Sequence, residues 1–321
     1  MEMPTWEDVI AARDLIRPHL PVTPLVRSES LSRLTGTELW LKCENCQPVG
    51  AFKIRGGVNL IGRLDPQERR AGVISASTGN HGQSLAWAGR LFGVRVVIYA
   101  PKVGPNPAKL KAMRELGAEV RLFGRDFDEA RLEVERVAAR EGYRYVHSAN
   151  EPHLIAGVGT LTLELLEQLP EAEAIAVPVG GGSGACGAVL VARHWQPSLR
   201  VIGVQSEAAP AAWRAWHRRS LAVEDQARTV HEGLATRVPF SLTMQILWEG
   251  LDDFVLVSDA EIDEAIRLLA GQARQVAEGA GAAALAAVRR LKQRLAGRRV
   301  VVVLSGGNLD LTRYAGILAG G

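Results

Sequence analysis

Short runs of Val, Ile and Leu alternate along the chain with longer segments in which apolar side chains return every three or four residues. The runs predict strands at residues 38–43, 72–76, 95–100, 119–123, 174–179, 200–205 and 299–304. The longer segments predict helices, two of which have readable starts. Asp126 with Glu129, and Ser258 with Glu261, stand at the spacing of a capping box. Beyond the second start, Ile262, Ala265, Ile266 and Leu269 share one face, as in a helix packed on a sheet. Strand followed by helix, repeated with strands apolar on both faces, predicts an α/β fold of parallel sheets covered by helices on both sides. Residues 62–70 and 147–152 are the candidate linkers, so the stretch between them reads as a smaller inserted lobe.

Composition narrows the class of protein. With 321 residues, 47% of them apolar, the chain can bury a large core and is expected to divide into two lobes. Its 38 Lys and Arg nearly balance 35 Asp and Glu, and no long block of like charge marks a nucleic-acid partner. No run of about eighteen apolar residues exists, and Glu2, Glu7 and Asp8 precede any apolar stretch, so neither membrane insertion nor secretion is expected. Cys43, Cys46 and Cys186 cannot make a disulfide framework, which fits a reducing cytoplasm.

Open parallel sheets bind ligands at the carboxyl ends of their strands, which directs attention to three loops. Ser75-Ala76-Ser77-Thr78-Gly79-Asn80-His81-Gly82 follows one strand and leads into an apolar helix. Hydroxyls, an amide and backbone N–H groups at a helix start suit a carboxylate. Gly180-Gly181-Gly182-Ser183-Gly184 lets the backbone wrap closely around a phosphate. Ser305-Gly306-Gly307-Asn308 follows the last strand. Any one such loop is equally readable as a tight connection; three in one chain point to a ligand. The second loop lacks the Lys-Ser/Thr ending of a P-loop and no G-x-G-x-x-G opens the first strand-helix unit, so the phosphate is not expected to be a nucleotide's.

Lysine usage adds a candidate for chemistry. The chain has six lysines, Lys42, Lys53, Lys102, Lys109, Lys111 and Lys292, so nearly all its positive charge is Arg. Lys102, Lys109, Lys111 and Lys292 sit among charged or turn residues and read as solvated, while Lys42 lies within a strand. Lys53, in Gly50-Ala51-Phe52-Lys53-Ile54-Arg55-Gly56, has apolar neighbours on both sides. The residues alone leave two readings of it: a lysine snorkelling from a helix start, or a desolvated amine with lowered pKa, as imine chemistry requires.

Residues 44–56 around Lys53, Ser77 to Gln83, the glycine loop at Gly180 and Ser305 to Asn308 come in an order that strongly resembles the fold type II enzymes dependent on pyridoxal 5'-phosphate. The likeness is to their serine/threonine dehydratase (threonine ammonia-lyase) and serine racemase branch, and it covers nearly the whole chain. It implies a two-lobed molecule with the active site between the lobes. Residues 1–65 and 148–321 would form a large cofactor-binding domain and residues 70–147 a small mobile one. It implies that Lys53 carries the cofactor and acts as general base, that Phe52 packs on its ring, and that Asn80 bonds the ring's phenolic oxygen. Gly180, Gly181, Gly182, Ser183 and Gly184 would hold the phosphate, Ser305 would face the pyridine nitrogen, and Ser77, Thr78, Gly79, Asn80 and His81 would take the substrate carboxylate. The implied activity is loss of water from L-threonine or L-serine to give a 2-oxo acid and ammonia, and the implied assembly is a homodimer.

Departures from the family pattern matter as well. Racemases of the branch have a serine as acid/base where this chain has Thr78, whose methyl group and β-branched stiffness at a helix start argue against racemisation as the main activity. Metal-binding carboxylates of some members are matched by Gln205 and Ala211, so no metal site is expected; Glu207 and carbonyls are the remaining donors there. With the sequence ending at Gly321, the regulatory domain of biosynthetic threonine dehydratases, and with it feedback control by isoleucine, is not expected. Racemisation, or a lyase reaction on phenylserine or hydroxyaspartate, are the alternative readings, followed by a non-catalytic cofactor-binding protein. The Cys43-x-x-Cys46 pair reads as structural, and His147, His153, His194, His217 and His231 show no metalloprotease spacing. Trp213 and Trp216 are expected to pack a helix on the core or on a partner subunit.

Overall fold

The computed structural model describes residues 2–103, 106–223 and 226–320; residues 1 and 321, the outer limits of the expected large domain, lie outside them. The strands are β1 (Leu25–Arg27), β2 (Glu38–Cys43), β3 (Val73–Ala76), β4 (Val96–Ala100), β5 (Glu119–Leu122), β6 (Arg144–Tyr145), β7 (Ala174–Pro178), β8 (Arg200–Ser206), β9 (Asp253–Val257) and β10 (Arg299–Leu304). Six of them form one sheet in the order β1-β2-β10-β7-β8-β9, and four form another in the order β5-β4-β3-β6. All pairings are parallel except that of β1, which runs antiparallel to β2 at an edge. The seven strands expected from apolar runs are present. The three not expected are a three-residue edge strand, a two-residue strand, and β9, whose Asp253, Val255 and Leu256 are only half-buried.

The strands are made by β-branched residues that fit a sheet covered on both faces. In β10, Val300, Val301, Val302, Val303 and Leu304 are all buried. Helix starts follow local chemistry: Ser258 and Glu261 exchange both bonds of a capping box. Asp126 accepts from the Glu129 N–H at 2.9 Å, but the Glu129 carboxylate turns away to Arg125, so the expected reciprocal box is half made. Residues 62–70, expected to be a linker, include most of the helix Pro66–Ala71, which Asp65 caps with Glu68 reciprocating. Trp213 and Trp216 pack against the core, donating to the carbonyls of Phe254 and Leu247 at 3.0 Å.

One apolar core joins the two sheets. It runs from Val73, Val96 and Ile98 in the smaller sheet, through Leu85 and Ala88 on the helix Asn80–Phe92 and Ile54, Val58 and Ile61 on the helix Lys53–Gly62, to Ile175 and Val301 in the larger. Gly57 permits this closeness: a Cβ there would stand 2.2 Å from Ser84 Oγ and 2.8 Å from the Ser84 carbonyl oxygen. Beneath the Lys53 helix lies a buried ion network. The Arg55 guanidinium donates to both carboxylate oxygens of Glu44, each at 2.8 Å, and to Glu164 at 2.7 and 2.8 Å. Lys42 donates to Glu164 at 3.0 Å, and Thr23 donates to Glu44 at 2.7 Å. These bonds fix the helix that begins at Lys53 against the end of β2 and the helix Pro152–Gln168. Among the described residues, no helix is long and apolar enough to cross a membrane.

Candidate active site

Three neighbouring strands in the middle of the larger sheet, β2, β10 and β7, deliver three of the loops singled out above from their carboxyl ends. The Lys53 loop is sewn to the Ser305 loop by backbone: Phe52 N–H donates to the Ser305 carbonyl at 3.0 Å, Gly307 N–H to the Gly50 carbonyl at 2.9 Å, and Ala51 and Gly306 form an antiparallel bridge. The helix Ser183–Trp195 starts at the end of β7 with no side chain capping it. Across from these, the helix Asn80–Phe92 begins at the end of β3.

Between the two sheets these loops enclose a cavity of about 800 Å³. Phe52, Lys53, Ser77, Thr78, Gly79, Asn80, His81, Gly181 and Ser305 all line it. Gly180, Gly182, Ser183 and Gly184 stand behind that wall: a Cβ on Gly180 would meet the Gly233 carbonyl oxygen at 2.2 Å, and one on Gly184 would meet the Phe52 ring at 3.2 Å. Ser77 does not present a free hydroxyl. Its Oγ accepts from the N–H groups of Gly79 at 3.2 Å and Gly82 at 2.9 Å, holding the loop in shape. The N-cap position of the helix Asn80–Phe92 is Gly79, which has no side chain to offer, and Ser77 takes the first-turn N–H of Gly82 instead.

Burial makes the Lys53 amine easier to deprotonate than that of an ordinary lysine, lowering its pKa to about 8, and its Nζ donates to Ser183 Oγ at 2.8 Å. Burial and then the nearby Lys53 charge push His81 down to about 3. Ser75 donates its proton to the Val146 carbonyl at 2.7 Å, so the 2.9 Å contact with His81 has Nε2–H as donor. His147, which spacing left without chemistry, also lines the cavity. Its Nδ1 accepts from the N–H groups of Ala149 and Asn150 at 3.0 and 2.9 Å, which places its proton on Nε2. Burial first, then Arg131, lower its pKa to about 4.

Lys109 corrects the sequence reading. Expected to be solvated, it is 9% exposed and lines the cavity, pairing with Glu232 at 3.0 Å and Glu278 at 3.5 Å. Burial opposes its charge, but the two carboxylates outweigh that and hold its pKa above the ordinary value. Glu278 is the residue that sequence reasoning missed outright. Buried at the start of the helix Gly279–Arg290, its carboxyl pKa is raised by burial, and it accepts from Asn80 Nδ2 at 2.5 Å. Asn308 Nδ2 donates to Asn80 Oδ1 at 2.8 Å, so both ends of the Asn80 amide are oriented. Elsewhere, Gln205 accepts from Trp213 N–H at 3.0 Å and Glu207 pairs with Arg290 at 2.8 Å. Cys43 is buried with its thiol pushed up to about 12, which makes it inert.

A family model described as pyridoxal-phosphate dependent enzyme matches residues 16–306. The chain belongs to that family. It is 40% identical over 309 residues to an L-threonine ammonia-lyase of Thermotoga maritima, covering 96% of this chain and 77% of that one. It is 33% identical over 317 residues to a serine racemase of Schizosaccharomyces pombe, covering 99% and 98%. Its fold superimposes on that of maize serine racemase with a TM-score of 0.93 at 28% identity, over 99% of this chain and 98% of the other. The cavity fits the family's cofactor: an amine of lowered pKa, an uncapped helix start behind a glycine loop that leaves no room for a Cβ, and an oriented amide all converge on it.

Proposed function

We propose that this pyridoxal-phosphate dependent enzyme removes water from a small β-hydroxy amino acid, L-threonine or L-serine, giving a 2-oxo acid and ammonia. The observation that carries the reading is the convergence of the Lys53 amine and the Ser77–His81 loop on one cavity. Bound cofactor would supply the electron sink that loosens the Cα–H and Cβ–O bonds of an amino acid. The chain's residues have separate tasks. Gly180 to Gly184 and the start of the helix Ser183–Trp195 would hold the phosphate, Phe52 would pack on the ring, and Ser305 would face the pyridine nitrogen with a hydroxyl rather than a carboxylate. Asn80, oriented by Glu278 and Asn308, would donate to the phenolic oxygen of the bound cofactor. Backbone N–H groups of the 77–81 loop orient the substrate carboxylate, with Ser77 keeping that loop in form. Lys53, with its lowered pKa, takes the Cα proton as general base. Residues 70–147, which hold the whole smaller sheet, act as the small domain that closes over substrate.

Thr78 favours elimination over racemisation. A racemase needs a proton donor on the face opposite Lys53, and a threonine methyl crowds the approach of its hydroxyl to Cα. Thr78→Ser is expected to raise D-serine formation from L-serine several-fold relative to pyruvate. Chiral chromatography of residual serine, run beside a keto-acid assay over a panel of hydroxy amino acids, measures both quantities. Abundant D-serine from the unaltered enzyme would overturn this reading in favour of racemisation.

A further inference from the structure

The shortest polar contact of the Lys53 amine is with Ser183, and the phosphate-holding role proposed for that loop does not account for it. Ser183 is buried at the first position of the helix Ser183–Trp195, and its Oγ accepts from Lys53 Nζ at 2.8 Å. A lysine side chain is long and rotamer-rich, and confining its amine costs entropy unless something fixes it. The groups facing this amine offer little alternative. Cys186 on the Ser183 helix is a buried thiol pushed well above its ordinary range, mainly by burial. His81 and His147 have pKa values lowered to about 3 and about 4. The Phe52 ring, its centroid 5.1 Å away, gives a face but no lone pair. A hydroxyl has one donor and two acceptor sites, so Ser183 can accept from the lysine and still donate toward the glycine loop.

We propose that Ser183 is a positioning residue for Lys53: its hydroxyl docks the amine whenever that amine is free, and so keeps the base in one place between its tasks. The inference rests on the reading of Lys53 as the general base. A dock of this kind orders the amine without touching substrate, so its loss lowers kcat and leaves KM nearly unchanged. Accepting from an ammonium is stronger than accepting from a neutral amine, so loss of the dock also moves the Lys53 titration to lower pH.

The test compares wild type, Ser183→Ala and Ser183→Thr as full-length proteins. In the cofactor-loaded enzymes at saturating pyridoxal phosphate, kcat and KM for L-threonine are measured. In the same proteins stripped of cofactor, the pH dependence of Lys53 acylation by acetic anhydride is read by mass spectrometry. The expected result for Ser183→Ala is a fall in kcat of roughly 10- to 100-fold, the worth of one hydrogen bond to a charged group, with an acylation midpoint at lower pH. Ser183→Thr, which keeps the hydroxyl, restores both. An unchanged acylation midpoint in Ser183→Ala overturns the dock, as does a variant whose only defect is weaker cofactor binding. A wild type that turns over no hydroxy amino acid, with the acylation shift still present in Ser183→Ala, removes the dehydratase reading and leaves the dock standing.

Discussion

Lys53→Ala is expected to abolish turnover, by on the order of a thousandfold or more, since under the proposed function Lys53 serves as both covalent anchor and general base. Purified wild type should also carry a visible absorbance from lysine-bound cofactor, which the variant, given excess pyridoxal phosphate, should lack. Retention of full activity in Lys53→Ala would end the assignment. The same lysine predicts a stability effect in the cofactor-free protein. Its pKa is about 8 in the fold against an ordinary 10.5, so between those values the unfolded chain binds more protons than the folded one. The cost of burying the charge is therefore full below pH 8 and fades as pH rises toward 10.5. Cofactor-free Lys53→Met should melt above wild type at pH 7, and the gap should narrow in that window; a gap independent of pH would contradict the lowered pKa.

The second large effect belongs to Arg55. Removing its guanidinium takes two charged donors from each of Glu44 and Glu164, leaving the fully buried Glu44 with the Thr23 hydroxyl and Glu164 with Lys42. Loss of one partner from a buried ion pair costs about 3–5 kcal/mol, far more than the pair adds over an apolar substitute. Urea denaturation of Arg55→Ala should show a loss of that size, and cofactor binding should weaken because the helix that starts at Lys53 loses its anchor. Lysine at this position should rescue only part, since a single ammonium cannot donate to both carboxylates in the forked geometry of Arg. A variant with the wild-type midpoint and slope would show that the network is incidental to stability.

The larger features of this protein were readable because they are local. A run such as Val300 to Leu304 announces a buried parallel strand without reference to anything else in the chain. Lys53 and the loops at Ser77, Gly180 and Ser305 were found the same way, each within a few consecutive residues. Lys109 was misread because the partners that let it be buried, Glu232 and Glu278, lie far along the chain. Glu278 stands in a stretch of glycine and alanine with no motif around it, and only the fold carries its carboxylate to Asn80. His147 failed for a similar reason: its tautomer is set by two backbone N–H groups, which leave no mark on side-chain spacing. The Pro66–Ala71 helix is different, for its signal was present in Asp65, Pro66 and Glu68, a cap, a first-turn proline and a reciprocating carboxylate.

A ribosome delivers β2 and β7 long before β10, the strand that must lie between them. The smaller sheet can form from residues 73–145 as they emerge, but the larger one waits for pairings that span nearly the whole chain, such as Val301 with Trp40. Until then the nascent chain carries two apolar strands with open edges facing a gap, the condition under which partly made proteins aggregate. The Lys53 loop also lacks the Ser305 and Gly307 backbone that holds it in place. Cofactor capture thus belongs to the end of synthesis, and the last strand acts as a quality gate: a chain broken off before Arg299 cannot present a finished pocket to pyridoxal phosphate.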